Sequence, residues 1–154
     1  MPLADLVARE AVFPSLRASS KKQALQELAQ HAATLLGRDA REIFETLLQR
    51  ERLGSTGVGN GIAIPHGKLP KLDKLFGAFA RLEKPIDFEA LDGEPVDLVF
   101  LLLAPEAAGA DHLKSLARIA RMLRDPATAD KLRGTREAAD IYALLTTTPA
   151  SDAA

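Results

Sequence analysis

The chain contains no cysteine, which removes disulfides, thiol redox chemistry and thiolate metal sites from consideration. It has no surplus of either charge: 20 basic and 21 acidic side chains leave a net charge of −1. That balance gives no electrostatic case for nucleic acid or an anionic membrane surface as a partner. There is no long hydrophobic run. The longest, Leu98 to Ala104, is far too short to span a bilayer. The start, Met1-Pro2-Leu3-Ala4-Asp5, has no basic segment followed by an apolar one, so no secretory leader is expected and the expected location is the cytoplasm. Internal repeats and low-complexity linkers are also missing. What remains is 154 residues, 47% hydrophobic and 27% charged, the composition of an ordinary globular domain with enough chain for a substantial core.

Glycine is where the chain is uneven. Five of its ten glycines fall between Gly54 and Lys68, in the run Gly-Ser-Thr-Gly-Val-Gly-Asn-Gly-Ile-Ala-Ile-Pro-His-Gly-Lys. Glycine permits positive φ and close approach of backbone or ligand. The run is neither a dinucleotide fingerprint nor a P-loop, because strand-GxGxxG-helix order and a GK[ST] ending are both missing. Ile62-Ala63-Ile64 reads as a short strand that Pro65 stops, which leaves His66 at a strand mouth, between a proline and a glycine. A lone loop histidine is ordinarily a solvated residue. This one sits where functional groups on α/β scaffolds tend to lie.

The rest of the chain reads as alternating structure. Leu3 to Val7 makes one helical turn, and Ala11-Val12-Phe13 a short strand that Pro14 confines to an edge. Ser19 or Ser20 caps a helix with apolar residues from Ala24 to Leu36 at helical spacing, and Gly37 stops it. Asp39 opens a second helix, with Glu42 in capping-box position and Ile43, Phe44, Leu47 and Leu48 as its apolar stripe. That helix delivers Arg50 beside the glycine-rich segment. Leu69 to Leu72 is expected to be loop, Leu75 to Leu82 a strand, and Pro85 to Phe88 a short strand or turn. Val96 to Leu103 is near-continuously apolar, hence a central strand covered on both faces. Asp111 is expected to cap a third long helix with His112 at its first position; Ala127 to Leu132 reads as a short helix, and Thr135 as the cap of a last one. Helices flanking strands in this order predict a three-layer α/β/α sandwich around a mixed sheet.

The chemistry available centres on histidine. His31, on the flank of the first helix, reads as structural or solvated. His66 and His112 both follow strand candidates and meet if those strands are neighbours. Two histidines and a carboxylate would hold a metal, but no HExxH-like spacing is present. The alternative is phosphoryl transfer to an imidazole, which is nucleophilic when neutral. The incoming anion needs donors already aimed at it: Arg50, the second imidazole, Lys68, and loop amides around Gly54, Ser55, Thr56 and Gly67.

The run Arg50-Glu51-Arg52-Leu53-Gly54 through Pro65-His66-Gly67-Lys68 resembles the active-site signature of phosphotransferase-system enzyme IIA proteins of the fructose/mannitol class, and within that class its nitrogen-regulatory branch. Pro85 to Phe88, Pro95 to Leu98 and Asp111-His112-Leu113 also fall where the family has similar segments. The resemblance implies an α/β sandwich, a family domain over residues 1–146 and a phosphoryl group carried on Nε2 of His66; the polar, alanine-rich tail at 147–154 is expected, from its composition, to be disordered. It places the supporting arginine at Arg50 and the second site histidine at His112. It implies an HPr-like phosphocarrier as donor, regulatory targets of the potassium-transport or sensor-kinase kind, no metal and no other cofactor, and a carrier rather than a turnover enzyme. The alternatives are a sugar-specific IIA component that feeds a IIB protein, a binding module that never receives phosphate, and a small metallohydrolase.

Overall fold

The computed structural model describes residues 3–147; the expected tail lies outside the described residues apart from Thr147. After one turn of 3-10 helix at Leu3–Asp5, the order is β1 (Val7–Leu16), α1 (Lys21–Leu36), α2 (Ala40–Arg52), β2 (Gly57–Gly59), β3 (Ile62–Ala63), β4 (His66–Leu69), β5 (Phe76–Ile86), β6 (Val96–Pro105), α3 (Gly109–Arg124), α4 (Pro126–Gly134) and α5 (Ala138–Thr146). The strands form one sheet in the order β1-β5-β6-β3-β2, with β4 also paired to β6. β5 runs antiparallel to β6, while β1 runs parallel to β5, and β3 and β4 run parallel to β6. The sheet is therefore mixed, and helices cover it in a three-layer arrangement.

β6 is the centre for the reason its sequence gives. Val96 and every residue from Leu98 to Ala104 are fully buried, which requires cover on both faces. Phe79 on β5 lies opposite Phe100, ring centroids 6.5 Å apart. β1 takes an edge, as Pro14 demands, but it is much longer than Ala11 to Phe13. It runs through the proline because an edge strand needs no donor on its outer side.

The helix starts follow local chemistry where a side chain can reach the backbone. Ser20 accepts from the Gln23 N–H, and Gly37 ends α1 in the left-handed region. Asp39 accepts from the Arg41 N–H to open α2. Two expected caps are corrected. α3 begins at Gly109 with Ala108 in the cap position and no capping side chain, so Asp111 lies inside the first turn and His112 is one residue further on. Thr135 closes α4, its hydroxyl donating to the Lys131 carbonyl, and α5 starts after Glu137; Asp125 is the residue that caps α4, with Pro126 at its first position. Pro85 and Ile86 also join β5 rather than forming a piece of their own.

Pro65 interrupts the strand rather than stopping it. Ile62 and Ala63 pair with Leu98 and Val99, the Pro65 carbonyl accepts from the Leu102 N–H at 3.0 Å, and the chain resumes as β4 with His66 beside Leu102 and Leu69 beside Pro105. Leu69, expected to open a loop, is instead the last residue of this strand. The strand can pause at the proline because β6 keeps supplying donors and acceptors along its whole length.

Candidate functional site

The glycine-rich segment divides into two parts with different jobs. Asn60 and Gly61, both at positive φ (58° and 79°), make the two-residue turn of the β2–β3 hairpin, the pattern expected of Asn-Gly in a type I′ turn. This tip is held by the Asn60 N–H donating to Asp92 and by Arg133 donating to the Asn60 carbonyl. The hairpin lies beside the N-terminal end of β6, at the Leu98 level, whereas His66 lies at Leu102. Along extended chain that is on the order of 13 Å, so the tip amides do not face the imidazole.

Gly67 explains how α2 reaches the site. A Cβ on Gly67 would stand 2.6 Å from Cγ2 of Thr46, so α2 rests directly on the strand here. Arg50 is four residues after Thr46, on the same helix face. With Thr46 seated against Gly67, the next turn brings the guanidinium to the neighbouring residue, His66. Arg50 Nε–H donates to His66 Nε2 at 3.3 Å, and Arg50 Nη1 donates to the Gly54 carbonyl at 2.9 Å. On its other side, His66 Nδ1 lies 2.8 Å from the Ile64 carbonyl. A carbonyl can only accept, so Nδ1 carries the proton and Nε2 keeps its lone pair.

Side chains alternate along a strand, so His66 faces away from the side on which Thr46 covers Gly67. There it meets α3. The rings of His66 and His112 are 5.6 Å apart, nearly edge to face at 68°. His112 is buried and its Nε2 has no hydrogen-bond partner, an arrangement that costs free energy unless something completes it. Burial depresses the His66 pKa, opposed by the bond to Ile64 and reinforced by Arg50, with Glu51 acting in the raising direction. Burial also depresses that of His112, helped by His66 and by Lys68. Both imidazoles are therefore neutral at neutral pH. Lys68, two residues after His66 on the same strand face, is exposed and supplies positive charge to this rim.

Of the residues singled out from the sequence, His66, Arg50, His112 and Lys68 thus converge. Gly54 contributes its carbonyl, to the arginine. Ser55 and Thr56 have other partners. The Ser55 hydroxyl donates to the Phe88 carbonyl and accepts from the Gly57 N–H, and both the amide and the hydroxyl of buried Thr56 donate to the Glu51 carboxylate. These side chains fold the loop, and Gly67 admits Thr46 by its lack of a side chain. His31 stacks on Phe13 with centroids 4.3 Å apart. Sequence reasoning missed Glu51. The available signal was an acid next to Arg50 on a helix whose apolar stripe includes Leu47 and Leu48, which turns that position inward. Among the described residues no group of three histidine or carboxylate side chains is placed to hold a metal ion, and no helix is long and apolar enough to cross a membrane.

Comparison with known proteins follows the same lines. Residues 5–147 match the family described as "Phosphoenolpyruvate-dependent sugar phosphotransferase system, EIIA 2". A protein of Bradyrhizobium diazoefficiens named nitrogen regulatory protein is 67% identical over 153 residues, spanning 99% of this chain and 100% of that one. A protein of the same name from Escherichia coli is 41% identical over 150 residues, spanning 96% of this chain and 91% of that one. The crystal structure of nitrogen regulatory protein IIA-Ntr from Neisseria meningitidis superposes with a TM-score of 0.89 at 33% identity, covering 94% of this chain and 99% of that one. The mannitol IIA of Escherichia coli shares the fold, at a TM-score of 0.73 and 21% identity over 90% of this chain and 97% of that one.

Proposed function

The chain belongs to the EIIA 2 family of the phosphoenolpyruvate-dependent sugar phosphotransferase system and is a phosphocarrier of that system, and from this premise we propose that His66 Nε2 is the atom that carries the phosphoryl group. The observation that supports this most directly is the pair of bonds to one ring: Nδ1–H held by the Ile64 carbonyl at 2.8 Å, Nε2 turned to Arg50 at 3.3 Å. The Nε2 lone pair forms the new N–P bond as the donor's N–P bond breaks, and the donor imidazole nitrogen takes back the bonding pair. The proton on Nδ1 stays in its hydrogen bond, so the product ring is a phosphoimidazolium, and the donor ring leaves as neutral imidazole because its other nitrogen carries a proton when the bond breaks. Arg50 shifts from the lone pair to the phosphoryl oxygens, which it can bind in a fork. His112 Nε2 turns a buried, unpartnered nitrogen into a donor to the same group, and Lys68 adds charge at the rim.

The donor is an HPr-like phosphocarrier protein, and the phosphorylated and free forms act on different regulatory targets in nitrogen and potassium metabolism. The name carried by the relatives at 67% and 41% identity supports the regulatory branch. Incubation with phosphoenolpyruvate and the upstream relay proteins should give acid-labile, base-stable label, and His66→Ala should give none. Label that persists on that variant would end the assignment. Titrating both forms against candidate targets tests the regulatory part: equal affinities would make the protein a module indifferent to its phosphate.

A further inference from the structure

Glu51 is the one buried carboxylate among the described residues. It lies next to Arg50 in the last turn of α2 and brackets the turn that follows. Its backbone carbonyl accepts from the Gly54 N–H at 3.1 Å. Its side chain accepts from the Thr56 N–H at 3.0 Å and, through its other oxygen, from the Thr56 hydroxyl. Gly54 is therefore held on both sides by one residue, and the carbonyl that sits between these two anchors is the one that accepts Arg50 Nη1 at 2.9 Å. Lys21, at the start of α1, pairs with the same carboxylate at 3.0 Å, the two side chains being 15% and 2% exposed. A buried ion pair is a poor source of stability, since well-packed apolar side chains of similar size serve as well or better. What such a pair does supply is a fixed arrangement. Here the thing fixed is the acceptor that sets where a guanidinium points.

We infer that Glu51, charge-balanced by Lys21, is a positioning residue. By fixing the Gly54 carbonyl, it holds the Arg50 guanidinium with Nε–H on His66 Nε2. It touches neither the imidazole nor the phosphoryl group, and acts only through Arg50 and the Gly54–Thr56 turn. The inference rests on the proposed role of His66 as phosphoryl acceptor, but the geometry it describes can be tested separately.

The test uses Glu51→Gln, which keeps the size and removes the charge, together with Arg50→Ala and the double variant. In the wild-type protein the Arg50 Nε–H should give a resolved, exchange-protected signal in a nitrogen-proton NMR spectrum. In Glu51→Gln that signal should broaden or disappear while the backbone spectrum stays folded. The single-turnover rate of transfer to His66 should fall about 10-fold, by analogy with the loss of hydrogen-bond partners that orient metal ligands, with the KM for the donor protein unchanged. In the Arg50→Ala background Glu51→Gln should cost nothing more, because the residue through which it acts is gone. Equal losses in both backgrounds, or an unchanged Arg50 signal and rate, would overturn the inference. Should Glu51→Gln fail to fold, Thr56→Val removes one arm of the bracket and is read by the same signal and rate. Should the wild-type protein accept no phosphate, the proposed function falls, and the Arg50 signal alone still decides this one.

Discussion

Arg50 reaches His66 with Nε–H and Gly54 with Nη1, and lysine, whose three donors all sit on one nitrogen, lacks the planar fork that spans both acceptors. Arg50→Lys should therefore behave almost like Arg50→Ala, slowing transfer by roughly 10²-fold, the loss typical of a donor to developing charge. Single-turnover label transfer measures it, and a lysine variant at wild-type rate would show that only charge is needed. At His112 the expectation concerns titration. Its pKa is held below 6.5 by burial, His66 and Lys68, and a phosphoryl dianion beside it acts in the opposite direction. Phosphorylation of His66 should raise the His112 pKa, read from its ring signals by NMR on both forms. A titration that does not move would put His112 outside the phosphate's reach. Chemistry at this scale was largely legible in the sequence: neutral imidazole, guanidinium and neighbouring lysine are properties of residue type. For Ser55 and Thr56 residue type is not enough. Their type allows a donor to an anion, but the partner each one finds depends on Phe88 and Glu51.

Among elements, the contact of α2 with β4 decides the site. Gly67→Ala would place a methyl 2.6 Å from Thr46 Cγ2, and neither backbone can yield without moving Arg50. Such overpacking costs about 1–3 kcal/mol, measurable by denaturant unfolding, and transfer should slow with it. Thr46→Ser removes the opposing methyl and should restore much of both; no restoration would mean that the strain lies elsewhere. The hairpin tip offers a contrast. Gly61→Ala meets Arg133 at 2.5 Å and Asp97 at 2.9 Å at a φ of 79°, so it should destabilise by about 1 kcal/mol or more and leave transfer at wild-type rate in the folded fraction. The two glycines belong to one run in the sequence. Nothing in that run says that one makes a turn at the far end of the strand and the other admits a helix.

At the scale of the whole molecule, two neutral imidazoles set a pH dependence of stability. The pKa values of His66 and His112 in the folded chain lie below the ordinary 6.5, so as pH falls the unfolded chain binds these protons first. Stability attributable to the pair is complete above the ordinary histidine range and declines as pH drops through about 6.5 toward the lower folded values. Denaturant unfolding from about pH 7.5 down to about pH 5.5 should show this loss, reduced when both residues are glutamine. A flat profile would mean that the site does not hold them neutral.

Several features of the fold were fixed locally. The apolar run of β6 required a covered, central strand; Ser20, Asp39 and Gly37 set helix ends through their own side chains or lack of one; Asn60-Gly61 made its turn. These depend on neighbours within a few residues. The site did not. The adjacent pair Arg50 and Glu51, His66 and His112 come from three places in the chain, and a sequence can nominate them but cannot say which meet. Only the packed sheet decided that, by letting β6 carry the strand past Pro65, seating Thr46 on Gly67 and bringing α3 over the opposite face. Distances between remote residues follow from how the layers pack, and spacing along the chain does not encode that.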